Sequence, residues 1–186
     1  QLFDGVITGS VTQHRYLASY ARALLDTGRI SQAEETLRSM IRQRRSRSSE
    51  YRSAAALLSA HGHHRRALLL LDEAASRHSD LNLRYDRLLL RLKTAGRDGL
   101  RTEIAAFVTK GPSEIQLKGL LNAARAANRL SLLYAAVRPI LQVDRTVERF
   151  RLELAGILGL RKEVAISVRR LKDRGRVHGH SGIDRL

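Results

Sequence analysis

YLASYARALLDTGRISQAEETLRSM, residues 16–40, is the stretch that decides the fold of this chain. It contains two runs with apolar residues at helical spacing, separated by a short break at Gly28. The same pattern returns around Gly62 and Gly96, so these three glycines lie 34 residues apart each time. A fixed period of this length indicates a repeat array, in which each helix pair buries its apolar face by stacking on its neighbours.

Capping signals divide the first repeat into a helix, a tight turn and a second helix. Ser10 with Gln13 forms a capping box and predicts a helix from about Val11. Ser31 with Glu34 forms another and predicts the start of the second helix just after the glycine turn. The unit is therefore an αα-hairpin, which needs neighbours to be stable.

The last two repeats depart from the glycine ladder. Asn128 stands where the fourth turn needs glycine, and asparagine tolerates the left-handed conformation better than most residues. With Gly159 as the fifth turn, the turn spacings shorten to 32 and 31 residues. Ser113 and Asp144 are expected to cap the first helices of these repeats, and Pro139 is expected to end or kink a second helix.

These spacings resemble the tetratricopeptide repeat, a helix-turn-helix unit of 34 residues. The first repeat matches its apolar and small positions at Leu17, Tyr20, Ala21, Leu24, Ala33, Leu37 and Met40. The second matches at Tyr51, Ala54, Ala55, Leu58, Ala67, Leu71 and Ala74, and the third keeps Tyr85, Leu88, Leu89 and Leu92. The resemblance implies an all-α fold, a right-handed α-α superhelix (a solenoid) of about five helix-turn-helix repeats.

The predicted domain organisation is a lead-in, one array and a tail. Because the chain begins at Gln1 and no signal peptide precedes it, we expect a segment of a longer protein. The expected parts are the lead-in 1–10, the array 11–174 with repeats 14–47, 48–81, 82–113, 114–144 and 145–174, and the tail 175–186. The exposed ends of such an array could also allow self-association.

Composition limits the functions that these residues can perform. With 34 basic and 18 acidic residues the formal net charge is +16, which attracts anionic partners. No cysteine is present, which excludes disulfides, thiolate metal sites and cysteine nucleophiles. No run of apolar residues is long enough to span a membrane.

The repeat register predicts which residues face a binding groove. In tetratricopeptide arrays the first helices of successive repeats line the concave face. The predicted groove residues, mostly cationic, are Arg15, Arg22, Arg52, Lys93, Lys118, Asn122, Arg125 and Arg149, with Asp86 and Glu153 as acidic interruptions. Lys118 and Asn122 resemble half of the carboxylate clamp with which some family members hold a peptide's C-terminus. The other half is absent from the expected positions.

A separate basic patch lies at the exit of the second helix and contains Arg42, Arg44, Arg45 and Arg47. Cations at this point complement the negative end of the helix dipole. Arginine can also bind phosphate or carboxylate in a bidentate manner, so an anion-binding patch is the alternative interpretation.

No catalytic arrangement is evident in the sequence. His61, His63 and His64 cluster in one turn, but a metal site needs three or four converging ligands with supporting partners. No nucleophile–histidine–carboxylate spacing or phosphate-binding glycine loop stands out. We therefore predict neither an enzyme nor a metal or cofactor site in these residues.

The predicted function is a non-catalytic interaction module that docks an acidic peptide or protein in a basic concave groove. The alternative is an anionic polymer, because similar arrays occur in bacterial capsule and exopolysaccharide assembly proteins. Nucleic acid ranks below a glycan, since Tyr20, Tyr51 and Tyr85 are predicted to be core residues, and single-strand binding uses exposed aromatic side chains. A bacterial source is expected, with a cytoplasmic or periplasmic location.

Overall fold

A computed structural model describes the backbone of residues 10–43, 47–94, 99–140 and 144–179, with side chains from residue 15 to residue 172 within those ranges. These residues form ten α-helices and no β-strand. The helices are α1 Ser10–Asp26, α2 Ile30–Gln43, α3 Ser48–Ala60, α4 His64–Arg77, α5 Leu81–Thr94, α6 Leu100–Val108, α7 Glu114–Ala126, α8 Leu130–Val137, α9 Arg145–Ile157 and α10 Arg161–Gly179.

The chain divides into two compact units, Gln1–Leu90 and Arg91–Leu186, with the boundary inside α5. In the first unit, α1 packs along α2 and α3 packs along α4, while α3 also contacts α1 and α2. In the second unit, α9 packs along α10, α6 lies along α8, and α7 contacts α8 and α9. The prediction of an all-α fold built from helix-turn-helix repeats is confirmed.

Left-handed residues make the turns inside the hairpins, as the glycine ladder predicts. Gly28 has φ of +74°, its N–H donates to the Leu25 carbonyl, and the next N–H, of Arg29, donates back to the Leu24 carbonyl. This pair of bonds is a Schellman motif, which satisfies carbonyls at the helix end. The same two bonds surround Gly62, Asn128 and Gly159, all of which have positive φ. Gly96 lies outside the described residues.

Two of the predicted helix caps are confirmed and one is wrong. Ser113 and Gln116 form a complete capping box on α7, and Asp144 caps α9 by accepting from the N–H of Val147. Ser31 is not a cap, because the chain leaves the Schellman turn directly into α2 and the helix already begins at Ile30. The side chain of Ser10 lies outside the described residues.

Small residues let the helices of the first unit approach closely. Ala21, Ala33, Ala54, Ala67 and Ala74 are completely buried in its core. Alanine at these positions leaves no bulk between the paired helices, so larger side chains can fill the space between hairpins at the density of a protein interior.

The tyrosines of the repeat pattern differ in their burial. Tyr51 is buried, as predicted, because the preceding hairpin covers α3. The prediction of a core position for Tyr20 is wrong, since it is 47% exposed and stacks on Tyr16. No described hairpin precedes α1, so this face lacks the cover that Tyr51 receives. Tyr85 is only partly buried.

A buried ion pair within α9 contains the arginine that links this helix to the end of α8 in the second unit. Arg151 and Glu148 are both almost fully buried, and Nη1 of Arg151 lies 3.0 Å from Oε2 of Glu148. Nη2 of Arg151 donates to the carbonyl of Val137, the last residue of α8, and to that of Ile140, which follows Pro139. The arginine thus links α9 to the end of α8 and to the residue that follows Pro139. The predicted stop at Pro139 is confirmed.

Candidate functional site

A cleft of about 690 Å³ lies between the first helices of the first two repeats. Its walls are mostly small side chains of α1 and α3, and side chains of α2 form its floor. The lining residues are Arg15, Ala18, Ser19, Arg22, Leu37, Met40, Ser53, Ala56, Leu57 and Ala60. Thus the structure brings together two predicted groove residues, Arg15 and Arg22, on one cleft. The repeat register did not single out Ser19 or Ser53, although Ser53 lies next to the predicted groove residue Arg52.

The two arginines of this cleft keep their charge available. Arg15 and Arg22 are exposed, and neither forms an ion pair with another described residue. Leu37 and Met40, by contrast, are almost completely buried and give the cleft an apolar base. The arrangement therefore combines an apolar floor, narrow side chains on both walls and guanidinium groups that can bind an anion in bidentate fashion.

Arg52, the next predicted groove cation, is already engaged. Its Nε lies 2.5 Å from Oδ2 of Asp86, and both side chains are about one-third exposed. Arg52 does not line the cleft between α1 and α3. Asp86, which the sequence indicated as an acidic interruption of the groove, therefore neutralises Arg52 of the neighbouring repeat.

The corresponding region of the second unit is smaller and balanced in charge. A cleft of about 70 Å³ between α7 and α9 is lined by Glu114, Leu117, Lys118, Thr146, Arg149, Phe150 and Glu153. Nζ of Lys118 lies 2.7 Å from Oε1 of Glu114. The hydrogen bond from Lys118 lowers the pKa of Glu114, and the same bond raises the pKa of Lys118. Two cations and two carboxylates meet here, and Glu114 was not foreseen.

The remaining predicted groove residues lie outside both clefts. Lys93, Asn122 and Arg125 are exposed on α5 and α7. The structure thus gathers Lys118 with Arg149 in the second unit, without Asn122 or Arg125.

The predicted basic patch is only partly described. Arg42 is exposed near the end of α2 and lines another cleft, and Arg47 is exposed just before α3. Arg44 and Arg45 lie outside the described residues. The cleft beside Arg42 also contains Arg38 and Arg77, which the sequence patch did not include.

The clustered histidines have separate partners. Nδ1 of His61 lies 2.9 Å from the Leu57 carbonyl, and its Nε2 lies 3.0 Å from Oδ1 of Asp26. His64 interacts with Ser59 instead. Among the described residues, no group of three or more histidine, aspartate or glutamate side chains is arranged to hold a metal ion.

No family model and no curated protein matches the chain. It is similar to the crystal structure of a tetratricopeptide repeat protein from Parabacteroides merdae ATCC 43184. The TM-score is 0.48 and the identity 14%, over 89% of this chain and 68% of that one. The paired helices and Schellman turns of this chain are those of an array of helical hairpins.

Stacked helical repeats create extended surfaces. Among the helices of the described ranges, none has the length and apolar character needed to cross a membrane.

Proposed function

We propose that this chain is a non-catalytic docking module that binds an acidic segment of a protein partner in the cleft between α1 and α3. The observation that carries the proposal is the pair Arg15 and Arg22, which line an apolar cleft without an ion pair to any described residue. A carboxylate bound there gains charge-assisted hydrogen bonds without displacing a partner that the protein already supplies.

The walls and floor of the cleft suit a peptide side chain. Ala18, Ser53 and Ala56 are narrow, so they leave space between the helices, and Leu37 and Met40 offer apolar contact beneath. Ligand sites commonly combine such apolar surface with a few polar groups that set orientation. The ligand that fits this combination is a segment in which an acidic residue lies beside an apolar one.

The other predicted groove residues take secondary parts in this proposal. Arg52 is neutralised by Asp86, and Lys118 is neutralised by Glu114. Lys93, Asn122, Arg125 and Arg149 belong to the second unit and do not line the cleft that anchors the partner. The boundaries of the array and self-association through its ends stay predictions.

An anionic polymer is the competing ligand class, because the net charge of +16 attracts any polyanion. Binding of this kind depends on the release of counterions and weakens steeply as the salt concentration rises. A peptide that also places an apolar side chain in the cleft depends less on salt. The salt dependence therefore separates an acidic protein segment from a capsular glycan or a nucleic acid.

The test compares ligands and variants by fluorescence anisotropy across a salt series. The ligands are an acidic peptide containing leucine, its Asn/Gln counterpart, an anionic glycan and a single-stranded oligonucleotide. The double substitution Arg15→Glu with Arg22→Glu should lower the affinity for the acidic peptide by about a hundredfold, since two charge-assisted contacts become repulsive.

The matched control is Arg101→Glu with Arg161→Glu, which changes the net charge equally at exposed positions that do not line the cleft. It should change peptide affinity by less than about threefold, because exposed charges that make no direct contact with the ligand are screened by salt. Equal losses in both double variants, or a glycan bound more tightly than the peptide at every salt concentration, would overturn the proposal.

A further inference from the structure

A second cleft in the first unit, of about 230 Å³, lies among α2, α3 and α4. It is lined by Arg38, Ile41, Arg42, Tyr51, Glu73 and Arg77, and it shares no residue with the cleft between α1 and α3. We propose that this cleft binds a tetrahedral oxyanion such as the phosphate of a monoester. The site is independent of the peptide-docking function proposed above.

The first argument is the number of guanidinium groups. Arg38, Arg42 and Arg77 come from two helices and line one cleft, where Glu73 is the only carboxylate among the lining residues. The lining therefore carries an excess of two positive charges. A phosphate monoester carries about −1.5 to −2 charge near neutral pH, which matches that excess.

The second argument is that Glu73 positions two of the arginines. Its Oε2 lies 2.8 Å from Nη1 of Arg38, and its Oε1 lies 3.3 Å from Nη2 of Arg77. The hydroxyl of Tyr51 donates to Glu73 and accepts from Nη1 of Arg77, at 3.0 and 2.9 Å. These bonds fix the direction of both guanidinium groups before any ligand arrives, which reduces the entropy that binding costs.

Hydrogen-bond donors remain on these positioned arginines. A guanidinium has five N–H donors. Arg38 directs Nε and its two terminal nitrogens at Glu34 and Glu73, so one N–H on each terminal nitrogen is left. The bonds of Arg77 to Tyr51 and Glu73 use one N–H on each terminal nitrogen and leave its Nε–H.

Arg42 is the group that most directly distinguishes a ligand site from a structural network. It lies in the same cleft, is exposed, and makes no hydrogen bond or ion pair with another described residue. A hydrogen-bond network that served only to hold the helices together would not need Arg42. A tetrahedral oxyanion, with acceptors pointing in several directions, can contact Arg42 and the positioned arginines together.

The test is a titration with inorganic phosphate, followed by arginine Nε–H signals in NMR at pH 7.5 and constant ionic strength. We expect saturable shifts confined to Arg38, Arg42 and Arg77, with inorganic sulfate binding comparably or more weakly and acetate much more weakly. Equal affinity for acetate, or small shifts spread over all arginines without saturation, would overturn the site.

Arg42→Gln is the decisive variant, because this side chain supports no described contact and its loss should leave the fold intact. We expect phosphate affinity to fall about tenfold, the effect of removing one charge-assisted contact. The control Arg101→Gln removes the same charge from an exposed position of α6 and should change affinity by less than about twofold. If both substitutions lowered the phosphate affinity equally, the binding would be general electrostatic attraction, and the proposal would be contradicted.

Discussion

Nε of Arg52 lies 2.5 Å from Oδ2 of Asp86, and the two residues occupy the same position of successive repeats, 34 residues apart. The period that defines the repeat therefore also places a cation opposite an anion on neighbouring helices. Since both side chains remain about one-third exposed, the pair contributes little stability. Its larger effect is on the groove, where it neutralises a predicted binding cation.

Asp86→Asn should free Arg52 for an incoming acidic ligand. We expect the free energy of unfolding to change by less than about 1 kcal/mol, as is usual for exposed ion pairs. The affinity for the acidic peptide should rise severalfold at low salt, because the cationic face gains a net charge. Chemical denaturation and anisotropy titrations measure the two effects.

Asp72→Asn is the matched control for Asp86→Asn. Asp72 forms a similar pair with Arg87, at 2.5 Å, and it lines none of the described clefts. It should alter stability to a similar extent and leave the peptide affinity unchanged. An equal gain in affinity from both substitutions would show that total charge, and not the groove register, determines binding.

Gly62→Val should destabilise the second hairpin by about 1 kcal/mol or more. Gly62 has φ of +82°, and a β-branched residue is strained there even though the space around its Cβ is open. Gly156→Ala is the control, since this glycine lies in α9, has no positive φ and also has open space. Alanine there should be neutral or stabilising. A Gly62→Val variant with an unchanged melting temperature would contradict the need for a left-handed residue.

The features that sequence predicts well are those set by local chemistry and by the repeat period. The turns at Gly28, Gly62 and Gly159 require a residue in the left-handed backbone conformation. Asn128, which replaces glycine at the fourth turn, adopts the same conformation, as the sequence predicted. The period also relates the cross-repeat pairs, because residues about one repeat apart lie side by side. Asp26 with His61 and Arg38 with Glu73 follow this rule, each separated by 35 residues.

The features that sequence did not predict depend on packing between elements. Arg151 and Glu148 look like surface residues in a charged helix, yet both are buried, and Arg151 donates to the Val137 carbonyl at the end of α8. Tyr20 matched an apolar repeat position, but burial there requires a neighbouring hairpin. The difference in size between the clefts of the two units likewise arises from side-chain packing, which a repeat pattern does not specify.

The stability of the first unit should depend on the ionisation of Glu73. The hydrogen bond from Arg38 is the main cause that lowers its pKa in the folded protein, and burial opposes it. Because the folded pKa lies below the unfolded one, the stabilisation is complete above the unfolded pKa. It is lost as the pH falls through the folded pKa. Wild-type protein should therefore lose more stability than Glu73→Gln between about pH 5 and pH 3.

Urea denaturation at a series of pH values measures this difference. Glu35→Gln provides the control, because Glu35 is an exposed carboxylate on α2 with no ion pair to another described residue. Its pH dependence should follow that of the wild type. If Glu73→Gln also retained the full acid sensitivity, the ionised Glu73 would contribute no stability.

Arg151→Ala should be among the most destabilising substitutions in the second unit, at about 3–5 kcal/mol. It would leave Glu148 buried without its cation and remove donors from the carbonyls of Val137 and Ile140. Arg149→Ala, on the same helix but exposed, should cost no more than about 0.5 kcal/mol. Replacing the pair by Arg151→Met with Glu148→Leu should recover much of the loss, because apolar packing avoids the desolvation of both charges. Equal stability of the Arg151→Ala and Arg149→Ala variants in chemical denaturation would mean that neither the buried pair nor the bonds of Arg151 to the end of α8 stabilise the second unit.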